Sequence, residues 1–139
     1  MLIESLKEFS VNAFGRDLVE ISSDIGIIEG DIPFYETRVG ILEIVADEKH
    51  NHVYLNLIID FKKINKDNIT NIAKWVLESN QKVKLGCFKL TDDLDYLVYT
   101  NGIYTKDVQH FDPELITNML VISEGMLDAY LDSYKAILE

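Results

Sequence analysis

Apolar residues return along this chain at two different periods. Between positions 69 and 77 they come back every third or fourth residue, at Ile69, Ile72, Ala73, Val76 and Leu77, while Asn68, Asn71, Lys74, Glu78 and Ser79 fall elsewhere. That spacing predicts an amphipathic helix. Asn65 is placed to cap it, and Asp67 sits near the positive end of its dipole. Trp75 lies beside the stripe, where it either packs at the core margin or anchors a partner, since Trp is enriched at binding hot spots. A longer helix is predicted from Asp112, the N-cap, and Pro113, whose missing N–H costs nothing at the first helical position. Glu114 adds charge at the favourable end. Ile116, Leu120, Ser123, Leu127, Leu131, Tyr134 and Leu138 keep its period, and Leu115, Met119, Ile122, Met126 and Tyr130 widen the apolar surface. So broad a stripe either fills the core or leaves part of itself for a dimer or partner interface. A first, shorter helix carries Leu2, Leu6, Phe9 and Ala13, with Gly15 as the left-handed residue that ends it.

Elsewhere the period is two. Val39 to Ala46 sends Ile41, Glu43 and Val45 one way and Leu42, Ile44 and Ala46 the other. Polar Asp47 to His52 connects it to a returning strand, Val53 to Phe61, which is apolar on both sides and so is expected to be central or covered on both faces. Leu18 to Ile28 is read as one strand with a turn or bulge at Ser22-Ser23-Asp24, followed by a loop at Gly30-Asp31-Ile32-Pro33. After the Ile69 helix, a tight turn at Asn80 to Gly86 leads into a hairpin: Val83 to Leu90, the turn Thr91-Asp92-Asp93, and Leu94 to Thr100. Asn101-Gly102 reads as a further turn, and Gly86 as a bulge or a close backbone approach.

The predicted order is α-β-β-β-α-β-β-α. Strand blocks with hairpin-length connections, separated by single helices, give an α+β domain with an antiparallel sheet packed by helices. At 139 residues the whole chain, residues 1–139, is expected to be one domain.

Charge narrows the function. A formal net charge of -11 argues against nucleic-acid binding, which relies on Lys and Arg to neutralise phosphates, and against docking on anionic lipid. It favours basic partner segments. The start of the chain lacks a basic region followed by an apolar run, and no apolar stretch approaches membrane-spanning length, so a cytoplasmic location is expected. The single cysteine, Cys87, excludes an intramolecular disulfide.

Candidate chemistry adds little. His50 and His52 form a His-x-His pair beside Asp47 and Glu48, which a hairpin turn explains as well as a metal would. His110 has no partner motif. Cys87 has neither a base nor an orienting group assigned by the sequence. Asp92, Asp93 and Asp95 lack the Gly and distal Glu of a calcium loop, and there is no Gly-rich phosphate loop. No catalytic, metal or cofactor site is expected, and the chain is expected not to be an enzyme.

The predicted order resembles the class I type III secretion chaperone fold. More closely, Ala73-Lys74-Trp75-Val76-Leu77-Glu78-Ser79-Asn80 and Leu85-Gly86-Cys87-Phe88-Lys89-Leu90 resemble the YbjN-like family, described as bacterial sensory transduction regulators. The shared features are a helix ending in Asn80, a strand with Gly86 and Phe88, an acidic turn at Asp92-Asp93, a return strand with Tyr99, and a final helix from Pro113 to Leu138 with Asp128 and Tyr134. The chain departs from the family at Leu94-Asp95, where Gly is frequent. The resemblance implies the fold, a cytoplasmic adaptor or chaperone-like role and homodimerisation, and it brings no catalytic residues.

Together these point to a non-enzymatic protein-binding module, chaperone-like or a regulatory adaptor, with a protein partner and a second copy of itself, and with Trp75, Met119, Met126 and Tyr130 as candidate contacts. The alternatives are an immunity- or antitoxin-type inhibitor of a basic protein, which a small acidic fold suits, and a small-ligand sensor, which needs a deep pocket with convergent polar groups.

Overall fold

A computed structural model describes residues 2–15, 19–22, 25–34, 38–60, 62–104 and 113–138. The elements are α1 (Leu2–Phe14), β1 (Val19–Ser22), β2 (Ile25–Phe34), β3 (Arg38–Asp47), β4 (His52–Ile59), α2 (Ile69–Asn80), β5 (Cys87–Leu90), β6 (Leu97–Tyr104) and α3 (Pro113–Leu138). The six strands form one sheet in the order β1-β2-β3-β4-β6-β5, and every neighbouring pair is antiparallel.

The α+β class and the helix-packed antiparallel sheet are as expected, but the first strand block has four strands, not three. The interruption placed inside a single strand separates β1 from β2, which form a hairpin with an irregular register between Glu20 and Ser22. The loop expected at Gly30-Asp31-Ile32-Pro33 is strand: Gly30 faces Leu42 and Pro33 faces Val39. β1 pairs only with Ile25–Ile27, so at Pro33 β2 has β3 on one side only, the kind of edge position at which proline is tolerated. Asn101-Gly102 is also strand, opposite Leu55 and Tyr54. Gly102 is there because of space: a Cβ would come within 2.7 Å of His52 Nε2 and 2.8 Å of Tyr54 Cβ.

The helices pack on one face of the sheet. Leu42, Ile44 and Ala46 of β3, Val53, Leu55, Leu57 and Ile59 of β4, Phe88 of β5, and Leu97 and Tyr99 of β6 form one core with α1, α2 and α3. β4 is central, between β3 and β6. Its alternate residues Tyr54, Asn56 and Ile58 face the other way, in line with Ile41, Glu43 and Val45 of β3 and Val98 and Thr100 of β6. None of these eight belongs to the helix-packed core.

The helices are turned somewhat from their expected faces. In α1, Ile3, Leu6 and Ser10 are buried and Ala13 is exposed. Gly15 ends the helix at φ +66° with its N–H on Val11 O, as expected. In α2, Ile72, Trp75 and Ser79 are buried, whereas Ala73 is exposed and Leu77 is 69% exposed. The residue before α2 is Asn68, not Asn65, which instead holds the turn ahead of the helix: its Oδ1 accepts from Asp67 N–H and Asn68 N–H, while Asn68 Oδ1 accepts from Asn65 N–H. This reciprocal pair satisfies backbone N–H groups of the turn that leads into α2. In α3, Ile116, Ser123, Leu127, Leu131, Tyr134 and Leu138 are buried as expected. Asp112 and His110 lie outside the described residues.

Candidate functional site

The segment joining α2 to β5 and β6 is built around Phe88. Asn80, the last residue of α2, holds both backbone groups of Phe88: its Oδ1 accepts from the Phe88 N–H at 2.7 Å and its Nδ2 donates to the Phe88 carbonyl at 2.8 Å. The family-like Asn that ends the helix therefore closes the outer edge of β5 at that residue. Gly86, at φ +72°, lets the chain pass close to β6; a Cβ would meet Thr100 O at 2.4 Å and Tyr99 Oη at 2.6 Å. The Tyr99 hydroxyl donates to Leu85 O. The close approach read from Gly86 is thus what the structure shows.

Trp75 occupies the centre of α2's buried face, not its margin. It is 7% exposed, its ring contacts Phe88 at 4.8 Å and Tyr134 at 5.2 Å between centroids, and its Nε1–H donates to Ser133 Oγ at 2.9 Å. Burial of an indole requires such an acceptor. Phe88 also meets Tyr99 and Tyr130 edge-on. Along the α2–α3 groove, Trp75 lines two adjacent cavities: one of about 200 Å³ with Tyr130, Ser133, Glu78 and Lys82, and one of about 410 Å³ with Lys74, Glu78 and Ile137. Of the expected contacts, Trp75 and Tyr130 are therefore brought together. Met119 is interior at 3% exposed. Met126, one turn before Tyr130, is half-buried against the core.

The hairpin turn between β5 and β6 is held by the Thr91 hydroxyl, which donates to Asp93 Oδ1 and accepts from the N–H groups of Asp95 and Tyr96. That bond to Thr91 first, and the Asp95 N–H second, lower the Asp93 pKa. Lys63 pairs with Asp95 at 3.1 Å, which raises the Lys63 pKa. Leu94 sits at φ +62°, a left-handed conformation that glycine adopts more readily than leucine.

His50 Nδ1 lies 2.7 Å from Asp47 Oδ2 in the β3–β4 turn, and this hydrogen bond is the main reason the Asp47 pKa is lowered. His52 instead tilts against the Tyr54 ring at 5.1 Å. Among the described residues, no group of three or more His, Cys, Asp or Glu is arranged to hold a metal ion. Cys87 is exposed. It shares a cavity of about 440 Å³ on the helix-free face with His52, Tyr54 and Lys89.

Next to it, a cavity of about 280 Å³ is lined by Glu43, Asn56, Ile58, Lys89, Asp92 and Val98, among others. Glu43 and Asn56 are cross-strand partners, and Asn56 Nδ2 donates to Glu43 Oε1 at 2.8 Å. Sequence reasoning did not single out this pair. Its signal was present: each is the polar residue that interrupts an otherwise apolar strand, Glu43 in Val39–Ala46 and Asn56 in Val53–Ile59. Tyr54 lies close by, and its phenol pKa is pushed up, first by burial and then by the charges of Glu43 and Asp47.

The crystal structure of YbjN from E. coli, described there as a candidate transcription regulator, superposes on this chain with a TM-score of 0.60, covering 96% of this chain and 90% of that one at 14% identity. The chain has the YbjN fold. The resemblance read from the segments around Asn80 and Phe88 is borne out at that level. No family model matches the chain, and no curated protein does so at a significant level. Among the described residues, no helix is long and apolar enough to cross a membrane.

Proposed function

We propose that this chain is a non-enzymatic, cytoplasmic protein-binding module with a regulatory-adaptor or chaperone-like role, acting as a homodimer. The observation that carries this reading is α3. One side of the helix is committed to the core, yet Leu115, Val121 and Ile122 remain 41%, 63% and 42% exposed on the other. Such side chains on a chain of net charge -11 suit an interface with an apolar centre and a charged surround. The YbjN likeness adds a regulatory context, since that protein is described as a candidate transcription regulator. Of the sequence-selected contacts, Tyr130 and Met126 keep a surface and so a contact role. Trp75 supports them from beneath, and Met119 serves the core.

Light scattering of the purified chain and native mass spectrometry after affinity capture, each at low and moderate salt, test this reading. A dimer that Ile122→Asp converts to a monomer, and a stoichiometric partner lost with Tyr130→Ala, are the expected results. A monomer at all concentrations that captures no protein would overturn it. The acidity also supports an inhibitor of one basic protein, in which case the complex weakens steeply with salt. An adaptor seated on apolar side chains tolerates it.

A further inference from the structure

The helix-free face of the sheet contains a polar pair that its own fold does not complete. Asn56 is 8% exposed and lies at the middle of the central strand. Its Nδ2 donates to the Glu43 carboxylate. A carboxylate only accepts, so this bond dictates which way the amide faces. Asn56 Oδ1 is consequently turned away from Glu43, buried and without a hydrogen-bond partner among the described residues. Thr100, its cross-strand neighbour on β6, cannot supply the donor, because its hydroxyl is given to Leu55 O. A buried acceptor left open is costly in a folded protein and marks a place where a donor from elsewhere is favoured.

The surroundings define that donor. Glu43 contributes a negative charge to the cavity wall, and Asp92 contributes a second. Ile58 and Val98 supply apolar wall. The required group is therefore a cation with several N–H donors and an apolar stem. A guanidinium fits best: it is planar, donates in a fork, and is less strongly hydrated than an ammonium, so it enters a partly buried site at lower cost. Lys89, on the same wall, is the opposing charge and must swing outward on its long stem when the cation enters.

We propose that the Glu43–Asn56 cavity receives a guanidinium group, carried by an arginine of a partner polypeptide. The choice of a polypeptide rests on the protein-binding reading above; the guanidinium chemistry does not. It adds a recognition site on the face of the sheet opposite α3, separate from the contacts proposed at Tyr130 and Met126.

The test is an NMR titration of the isotopically labelled full chain with N-acetyl-arginine amide, its neutral isostere N-acetyl-citrulline amide, agmatine, and a short extended peptide with one central arginine between aliphatic residues. Saturable shifts of the Asn56 side-chain amide and of the Glu43 backbone are expected with the arginine probe, with the citrulline probe at least about tenfold weaker. Glu43→Gln, which keeps the shape and loses the charge, is expected to weaken the arginine probe by about tenfold or more. Asn56→Leu should do the same, while Lys89→Ala should tighten binding and Asp132→Asn on α3 should leave it unchanged. Absence of saturable shifts, equal binding of citrulline, or an equal loss in Asp132→Asn would each overturn the site. A peptide at least about tenfold tighter than agmatine supports a polypeptide source. Equal affinities would overturn that source while leaving the guanidinium site standing, and neither result depends on whether the chain dimerises through α3.

Discussion

The two faces of the sheet are built from the same strands and do different work. On β4, Val53, Leu55, Leu57 and Ile59 turn toward the helices and are almost completely buried, whereas Tyr54, Asn56 and Ile58, in the alternate positions, meet no helix. The helix face is closed by aromatic rings, among which the Trp75 Nε1–H is given to Ser133 Oγ. The other face carries Glu43, Asn56 and Thr100 in one row across β3, β4 and β6, and one of its acceptors is left open. A protein of this size has little stability to spare, so the two faces are expected to contribute to it unequally.

Neighbouring truncations on β4 are the most direct attempt to break that contrast. Leu55→Ala should cost about 3–4 kcal/mol, and Ile58→Ala, three residues along but on the helix-free face, about 1 kcal/mol, both read from urea unfolding. Equal losses would mean that both faces support the fold alike. Gly86→Ala falls in the same large class, at ~3 kcal/mol, because it combines a left-handed backbone with a Cβ pressed against the Thr100 carbonyl. Asn80→Ala should cost about 2 kcal/mol by releasing both backbone groups of Phe88, and hydrogen exchange at the Phe88 amide should accelerate. Asn56→Leu is expected to change stability by less than about 1 kcal/mol, since it removes an unsatisfied acceptor along with one hydrogen bond.

Titration sharpens the same contrast. Burial pushes the Tyr134 phenol, on the helix face, up to about 12. Its folded pKa is above its unfolded value, so its contribution is complete below pH 10 and is lost as pH rises from 10 toward 12. Tyrosinate absorbance should therefore show a late-ionising group that Tyr134→Phe deletes. At the acid end, Asp47, held down by His50, has the opposite sign. Its contribution is present above the ordinary carboxylate value of 3.8 and fades as pH falls below it. Asp47→Asn should remove only that small acid-side slope.

Much of this architecture was legible in the residues, and the misses have local causes. α3 was readable because its period runs unbroken over many turns, and Gly15 and Gly86 because each needs a backbone that other residues avoid. Trp75 was placed at the margin of α2 because Ala73 and Leu77 share its helical period; only the positions of Ser133 and Phe88, distant in sequence, decide which side is buried. Local propensity makes Asn101-Gly102 a turn, and pairing with Leu55 and Tyr54 of β4 overrides it. Residue type singles out the four candidate contacts but does not distinguish Met119, which is interior, from Tyr130, which reaches the groove. The Glu43–Asn56 pair is invisible until the strand register is known, because each residue alone is an ordinary polar position in a strand.

Asn80 couples two motions that are usually independent. One amide belongs to the last turn of α2 and also completes the hydrogen bonding of the β5 border. If α2 rotated or slid by part of a turn, the amide would leave Phe88, and the sheet would gain an adhesive margin with no strand having moved. Displacement of α2, as by a substitution at Trp75, is therefore expected to expose the Phe88 N–H and carbonyl at the border of the sheet.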